Sequence, residues 1–279
     1  MLRIATWNVN SVRARLENLM DWVDEYRPDV LLLQELKCEE QQFPLFELDN
    51  LGYNVEIFGQ KARNGVAILS KFPIYGTSRG LLLDGQNYDN TDSRYMETHF
   101  DLGGKTIKIA SIYAPNGGPT VKDMNSGIDD VKTTESFVQK LDFFDKLAAK
   151  LRESVVADEI AFFGGDYNIC PNLHMDVYTT KKDGNITCTE EEREKFRGLL
   201  DVGVSDVWRK LNPELIEYSW WGYRPYFMWE KNQGFRLDAI LTTPAATNSV
   251  LGCKIYSKET RGKEKASDHA PMMCEVNFP

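Results

Sequence analysis

The chain lacks the ingredients of several common architectures. It has three histidines among 279 residues, and its five cysteines (Cys38, Cys170, Cys188, Cys253 and Cys274) are odd in number, scattered and never spaced as CxxC. That pattern argues against a disulfide framework or a zinc site and reads as reduced thiols in or near a core. No run of about 18 apolar residues is present, so no bilayer-spanning helix and no membrane partner are expected. The opening "MLRIATWNV" alternates like a strand, with no basic segment leading into an apolar one. A secretory signal is therefore not expected, and the expected location is the cytoplasm, beside the nucleoid in a bacterial cell. The sequon Asn185, Ile186, Thr187 is accordingly read as a turn. Internal repeats, low-complexity segments and Pro/Gly/Ser-rich linkers are also missing, so one continuous domain over residues 1–279 is the economical expectation. Excess positive charge is absent as well. A net charge of -9 counts against gripping nucleic acid by bulk charge, an objection that weakens if the acids converge on a divalent cation.

What is present is an ordinary globular composition, 42% hydrophobic and 27% charged. The chain opens as strand, helix, strand: "LRIATWN", then Leu16, Leu19, Met20 and Val23 at helical spacing, then "DVLLLQE" after Pro28. Further strands are expected at "YNVEIF", "GVAILS", "RYMETHF", "TIKIASIY", "EIAFFGGD", "FRLDAILTT", "CKIYS" and "PMMCEV". A second helix carries Phe137, Leu141, Phe144, Ala148 and Leu151 on one face, and a shorter one is expected near 190–200. Many strands with helices between them imply a mixed α/β sandwich, helices covering packed sheets. Two polar stretches, 116–133 and 171–189, exceed ordinary connections and are candidate functional loops.

Polar residues stand at the ends of the apolar strands: Asn8 after the first, Glu35 after "VLLLQ", Tyr113 after "KIASI", Asp166 and Asn168 after "IAFFGG", with Asp268 and His269 before the last. Strand ends of one sheet share a rim, where α/β proteins commonly place ligands. Oxygen ligands of this kind suit Mg²⁺ or Mn²⁺. Taken singly, each has a plainer reading: Asn8 as a turn former, Glu35 as a solvated strand end, "GGDYN" as a glycine-bearing turn, His269 as a structural histidine. Asp238, inside "FRLDAILTT", resists such a reading. A carboxylate buried in a strand costs several kcal/mol unless paired, and His269 would satisfy it.

The ordered set "ATWNVNSVRAR", "PDVLLLQELK", "FGQKARNGVAILS", "IYAPNGG", "GGDYNICP", "YSWWGYR", "NQGFRLDAILTT" and "SDHAP" resembles the exonuclease III family of apurinic/apyrimidinic endonucleases, from Arg3 to about Val276. The resemblance implies a four-layered α/β sandwich with two central mixed sheets. It implies a metal bound principally by Glu35, with Asn8 supporting it and Asp268 nearby through water. It makes Asp166 the group that orients or deprotonates the attacking water, and Asn168, Tyr113 and His269 the phosphate binders, with Asp238 holding the His269 imidazole protonated. It places Trp220, Phe235 and Leu237 around a pocket for a baseless deoxyribose, and Arg224, Lys61, Arg63, Asn64 and Asn116 against the DNA backbone. Lys61 and Arg63 read equally well as solvated charges or turn residues. The implied partner is duplex DNA with abasic sites or damaged 3' ends, met by a monomer.

Two features depart from the resemblance. Residues 119–133 carry Asp123, Asp129 and Asp130 against Lys122 and Lys132, where relatives tend to place basic residues, and Tyr167 within GDYN is bulky enough to reshape the pocket. Two other activities are alternatives: a catalytically inactive RNA-binding regulator, which would lose the metal Glu and the GDxN aspartate, and a phosphodiesterase or phosphatase for small phosphorylated substrates, which the net acidity favours and the aromatic segment opposes.

Overall fold

The computed structural model describes residues 1–81, 92–119 and 130–278, and Tyr226 by its backbone alone. Lys122, Asp123 and Asp129 lie outside the described residues. In chain order the elements are β1 (Leu2–Asn8), α1 (Leu16–Tyr26), β2 (Val30–Gln34), α2 (Leu45–Asp49), β3 (Asn54–Phe58), β4 (Val66–Ser70), β5 (Tyr75–Arg79), β6 (Tyr95–Leu102), β7 (Lys105–Tyr113), α3 (Glu135–Val156), β8 (Ile160–Asp166), α4 (Glu190–Asp201), β9 (Ser205–Asp206), α5 (Val207–Leu211), β10 (Asp238–Thr242), α6 (Pro244–Thr247), β11 (Val250–Ile255), α7 (Ser257–Thr260) and β12 (Met272–Val276).

They form two sheets, ordered β11-β12-β1-β2-β4-β3 and β5-β6-β7-β8-β10-β9. Each sheet has a parallel pair near its middle, β1 with β2 and β7 with β8, and antiparallel neighbours outside it. A parallel pair needs a crossover, which α1 supplies in the first sheet and α3 in the second. Helices on the outer faces and a partner sheet on the inner faces leave the central strands buried on both sides. Hence β2 (VLLLQ), β4 (VAILS) and β10 (DAILT) read as unbroken apolar runs and are buried throughout.

Three apolar clusters match the layers. Leu19, Trp22 and Val23 of α1 pack on the outer face of the first sheet with Trp7, Leu31 and Leu33. Phe144, Leu147 and Leu151 of α3 pack with Phe196 and Leu199 of α4 on the outer face of the second. Between the sheets lie Ile4, Leu32, Ile68, Ile109, Phe162 and Ile240. The result is a four-layered α/β sandwich.

Polar atoms cross the inner seam directly below the rim. Thr6 Oγ1 donates to Gln34 Oε1 (3.2 Å), Gln34 Nε2 to Ser111 Oγ (2.9 Å), and Ser111 Oγ to the Leu33 carbonyl (3.0 Å). Gly164 and Gly165 lie inside β8, not in a turn. A Cβ at Gly164 would come within 2.6 Å of Leu32 Cδ1, and one at Gly165 within 1.9 Å of the Ile112 carbonyl oxygen, so close packing requires glycine at both.

Some element limits differ from the sequence expectation. In "FRLDAILTT" the ladder starts at Asp238, while Phe235 leaves it to bridge Val177 and Trp220. The strand expected at "CKIYS" begins earlier, at Val250, and ends at Ile255. β5 was not anticipated because its residues are mostly exposed and carry no apolar alternation.

Candidate active site

The register of the two sheets brings the polar strand ends together. In the first sheet Asn8 stands opposite Gln34, so Glu35 follows at the same rim. In the second, Asp166 lies between Tyr113 on one side and Asp238 on the other. The segment 267–269 joins the two: Trp220 bridges His269, Trp221 N donates to the Asp268 carbonyl (2.9 Å), and Ser267 Oγ donates to the Asn8 carbonyl (2.7 Å).

One half of the site is turn-borne and touches solvent. Asn10, Ser11, Glu35 and Lys37 all have positive φ, a backbone region that non-glycine residues rarely hold without a constraint. Asn8 Nδ2 donates to Glu35 Oε2 and to Asp166 Oδ2, both at 2.9 Å, so this one amide ties the two sheets' carboxylates together. Lys37 Nζ lies 2.8 Å from Glu35 Oε1 and donates to Asn10 Oδ1. Asp268 accepts from Asn10 Nδ2 (2.8 Å) and Trp220 Nε1 (3.1 Å). Burial alone would raise its pKa, but His269 and these two bonds hold it below the usual carboxylate value. Tyr113 has its pKa pushed well up by burial and by the negative charges of Glu35 and Asp166, and the Arg94 guanidinium lies 5.0 Å from its ring centroid.

The other half is closed. Asp166, Asp238 and His269 are 1%, 1% and 4% exposed. His269 Nδ1 lies 2.8 Å from Asp238 Oδ2, and Nε2 lies 3.6 Å from Asp166 Oδ2. Burial alone would lower the imidazole pKa, but Asp238 and then Asp166 overcome it and raise it to about 10. Burial raises Asp166 to about 7, against the pull of His269 and with a further push from Asp238. A protonated imidazole therefore faces Asp166 at neutral pH, where the Asp166 carboxyl is near the midpoint of its own titration. Asn168 (φ 51°) donates from its backbone to Asp166 Oδ1 (2.9 Å) and from Nδ2 to the Ala114 carbonyl (2.9 Å) and Asp166 Oδ2 (3.3 Å), so the phosphate-binding amide expected from sequence is corrected: both its protons are taken and it braces Asp166. Asn116 Nδ2 donates in turn to Asn168 Oδ1 (3.3 Å).

The donor chemistry fits an oxygen-seeking divalent cation on the open half. Glu35, Asn10 and Asp268 offer hard oxygens there, and a protein cation, the Lys37 ammonium, already lies against Glu35 and Asn10. The buried trio Asp166, Asp238 and His269 also brings ligand atoms within 4.8 Å of one another. There, however, the imidazole Nδ1 is committed to Asp238 and the high imidazole pKa opposes metal ligation. The open half is the better cation site.

A cavity of about 250 Å³ opens beside this centre, lined by Trp220, Phe235 and Leu237 on one wall and by Asn116, Asn168, Ile186 and Thr187 among others. Tyr167 does not enter it. Its ring is fully buried between Phe144 and Phe196, and its hydroxyl donates to the Phe163 carbonyl (2.9 Å), so the expected reshaping of the pocket is corrected: residues flanking a strand end face alternate sides, and Asp166 and Asn168 have the rim. A larger groove of about 710 Å³ includes Arg63, Arg94 and Asn116. Lys61 is exposed, as is Arg224 on the aromatic segment. Asn64 is buried and not free for a ligand through its amide, since Nδ2 donates to Gln60 (2.9 Å) and Asp92 (3.2 Å). Its carbonyl accepts from Lys37 N (2.9 Å), which braces the Glu35 turn. Asn10, Lys37 and Arg94 were not singled out from sequence. The positions two residues beyond Asn8 and Glu35, where a strand has just ended, were the available signal.

With this geometry in view, comparison with known proteins places the chain. It belongs to the endonuclease/exonuclease/phosphatase family, which it matches over residues 5–269 and whose members depend on a divalent cation. It is 30% identical to exodeoxyribonuclease III of Haemophilus influenzae over 282 residues, covering 98% of this chain and 99% of that one. Among solved structures it is similar to an AP endonuclease from Archaeoglobus fulgidus (TM-score 0.87, 33% identity, 100% of both chains). It is equally similar to a 3' phosphatase from Neisseria bound to a product DNA hairpin (TM-score 0.87, 30% identity, 100% of both chains).

Proposed function

We propose that this chain is a Mg²⁺-dependent DNA-repair phosphodiesterase of the exodeoxyribonuclease III type. It hydrolyses the phosphodiester 5' to abasic sites in duplex DNA and has 3'-to-5' exonuclease and 3'-end phosphodiesterase and phosphatase activities, in base excision repair. It works as one catalytic unit and as a monomer, in the cytoplasm. The observation that carries the reading is the adjacency of a buried Asp166–His269–Asp238 relay to a small cavity with an aromatic wall. A reacting phosphate and a flipped-out sugar need those two features side by side, and the aromatic and aliphatic wall of Trp220, Phe235 and Leu237 suits the apolar face of a sugar without its base.

Asp166 orients the attacking water and takes its proton, a role for which a pKa near the working pH is suited. His269, kept protonated by Asp238, and the Tyr113 hydroxyl hold the nonbridging oxygens of the phosphate, while Asn168 braces Asp166 beside them. Glu35, Asn10 and Asp268 would hold the divalent cation, with Asn8 supporting Glu35 through its amide, and the cation would supply charge neutralisation at the phosphate and the leaving oxygen. Trp220, Phe235 and Leu237 receive the sugar. Arg224, Arg63, Lys61 and Asn116 meet the backbone, and Asn64 contributes by fixing its turn.

The test is a labelled duplex with one tetrahydrofuran abasic analogue, incubated with Mg²⁺ or EDTA beside an intact duplex with a recessed 3' end. A Mg²⁺-dependent nick at the analogue is expected. Trimming of the 3' end alone would reject the endonuclease, and inactivity on both would reject the nuclease altogether.

A further inference from the structure

The ammonium of Lys140 has no part in the chemistry above, yet it lies in the most confined place a charge occupies next to the site. Lys140 projects from α3 and is 0% exposed. Burying an ammonium costs several kcal/mol unless every proton finds an acceptor. Here all three do. Nζ donates to the carbonyls of Asn168 (2.7 Å) and Asn116 (3.0 Å), and to Glu192 Oε1. Glu192, also 0% exposed, sits in the first turn of α4, where its carboxylate accepts from the backbone N–H groups of Thr187 (3.0 Å) and Thr189 (2.9 Å). One ion pair therefore fastens three separate chain segments, and these supply Asn116, Asn168 and Thr187 to the wall of the 250 Å³ cavity.

Fit around the lysine is tight. Gly117 has φ 76°, and a Cβ there would lie 2.7 Å from Lys140 Cδ, so the Asn116 turn closes over the side chain only with glycine. An apolar pair of similar volume would spare the cost of burying two charges. It would leave the Asn116 and Asn168 carbonyls unpaired and free to move.

We propose that Lys140 and Glu192 form a positioning pair, which holds the phosphate-side amides and the pocket wall in the arrangement that turns substrate over. This rests on the phosphodiesterase reading of the site. Because Asn168 serves any phosphodiester, the pair governs turnover on large and small substrates alike.

The experiment compares full-length Lys140→Met and Glu192→Gln with the wild type. Thermal melts are recorded first, and kinetics are then run with Mg²⁺ well below the lowest midpoint, on the abasic-analogue duplex and on bis(p-nitrophenyl) phosphate. The expected result is a fall in kcat of about 10- to 100-fold for Lys140→Met on both substrates. Glu192→Gln, which keeps one oxygen acceptor, falls less, and Lys140→Arg recovers part of the loss. A lowered melting midpoint with kcat and KM unchanged on both substrates would overturn the proposal and leave the pair a structural one. Should Lys140→Met fail to fold, an unchanged kcat in Glu192→Gln overturns it equally. A wild type that cleaves the p-nitrophenyl ester but not the duplex would reject the substrate reading alone, and the variants would still decide this one.

Discussion

The two halves of the site are built by opposite means. Glu35, Lys37 and Asn10 are held by turns with positive φ and are partly open to solvent, with a lysine as the present counter-charge. Asp166 and Asp238 are held by strand register, buried, and balanced by an imidazole from a third segment. The open half can exchange its cation, because water can reach the ligands. The closed half is a fixed set of protein groups, so its protonation is set by mutual charge and by burial. On the proposed reading a phosphodiesterase needs both, a replaceable metal and a fixed proton acceptor, and two sheets meeting at one rim would provide them.

The sharpest way to break this comparison is to neutralise the closed half. Asp166→Asn removes the proton acceptor with little change in shape, and kcat on the abasic-analogue duplex is expected to fall by about 10⁴, with an unchanged circular dichroism spectrum as control. Wild-type rates in this variant would sink the assignment. On the open half, Glu35→Ala should cost about 10³ in rate at fixed Mg²⁺, from several kcal/mol of lost charge stabilisation. Unlike the first loss, this one should be partly recovered as Mg²⁺ is raised, and a metal titration of both variants separates the halves directly.

The pH profile sharpens the distinction further. Activity should rise with pH as Asp166 loses its proton near 7 and fall as His269 loses its own near 10. Asp238 raises both groups, so Asp238→Asn should move both limbs to lower pH, with about a 100-fold loss at the optimum from the misplaced imidazole. Limbs that stay where they were would disconnect Asp238 from the titration. Trp220→Ala lies at the edge of both halves, donating to Asp268 while forming the pocket wall. It should lower nicking at the abasic analogue about 10-fold while leaving trimming of a recessed 3' end within about twofold. The smallest effect is expected at Tyr167→Phe, which loses one buried hydrogen bond to Phe163 and about 1 kcal/mol of stability in a denaturant titration, with no change in kinetics.

Much of this was legible in the sequence, for reasons visible in the structure. Central strands buried on both faces leave unbroken apolar runs, and their last residues are the site, so Asn8, Glu35, Tyr113 and Asp166 stand where "LRIATW", "VLLLQ", "KIASI" and "IAFFGG" end. Asp238 stood out because a carboxylate inside such a run needs a partner. What was not legible depends on side chains that meet across long separations. Lys37 reads as a solvated charge until its contact with Asn10 is seen, and Asn64 reads as a ligand-facing amide until Gln60 and Asp92 occupy it. The side to which Tyr167 points follows from strand alternation, yet an aromatic beside two site residues invites the opposite expectation. Lys140 and Glu192 do fall at helical spacing with buried Phe137, Phe144 and Leu147 and with Phe196 and Leu199, but a charged residue at such a position is ordinarily read as lying at the edge of the stripe.

The Thr6, Gln34 and Ser111 seam has a mechanical consequence. The bonds from Gln34 to Ser111 and from Ser111 to the Leu33 carbonyl cross from one sheet to the other and resist shear where apolar contacts alone would let the layers slide past each other. The floor of the site therefore behaves as a rigid plate spanning both sheets, and compliance is left to the loops around its edge. The Asn8 amide, bonded to both Glu35 and Asp166, sits on that plate and fixes the spacing of the two carboxylates.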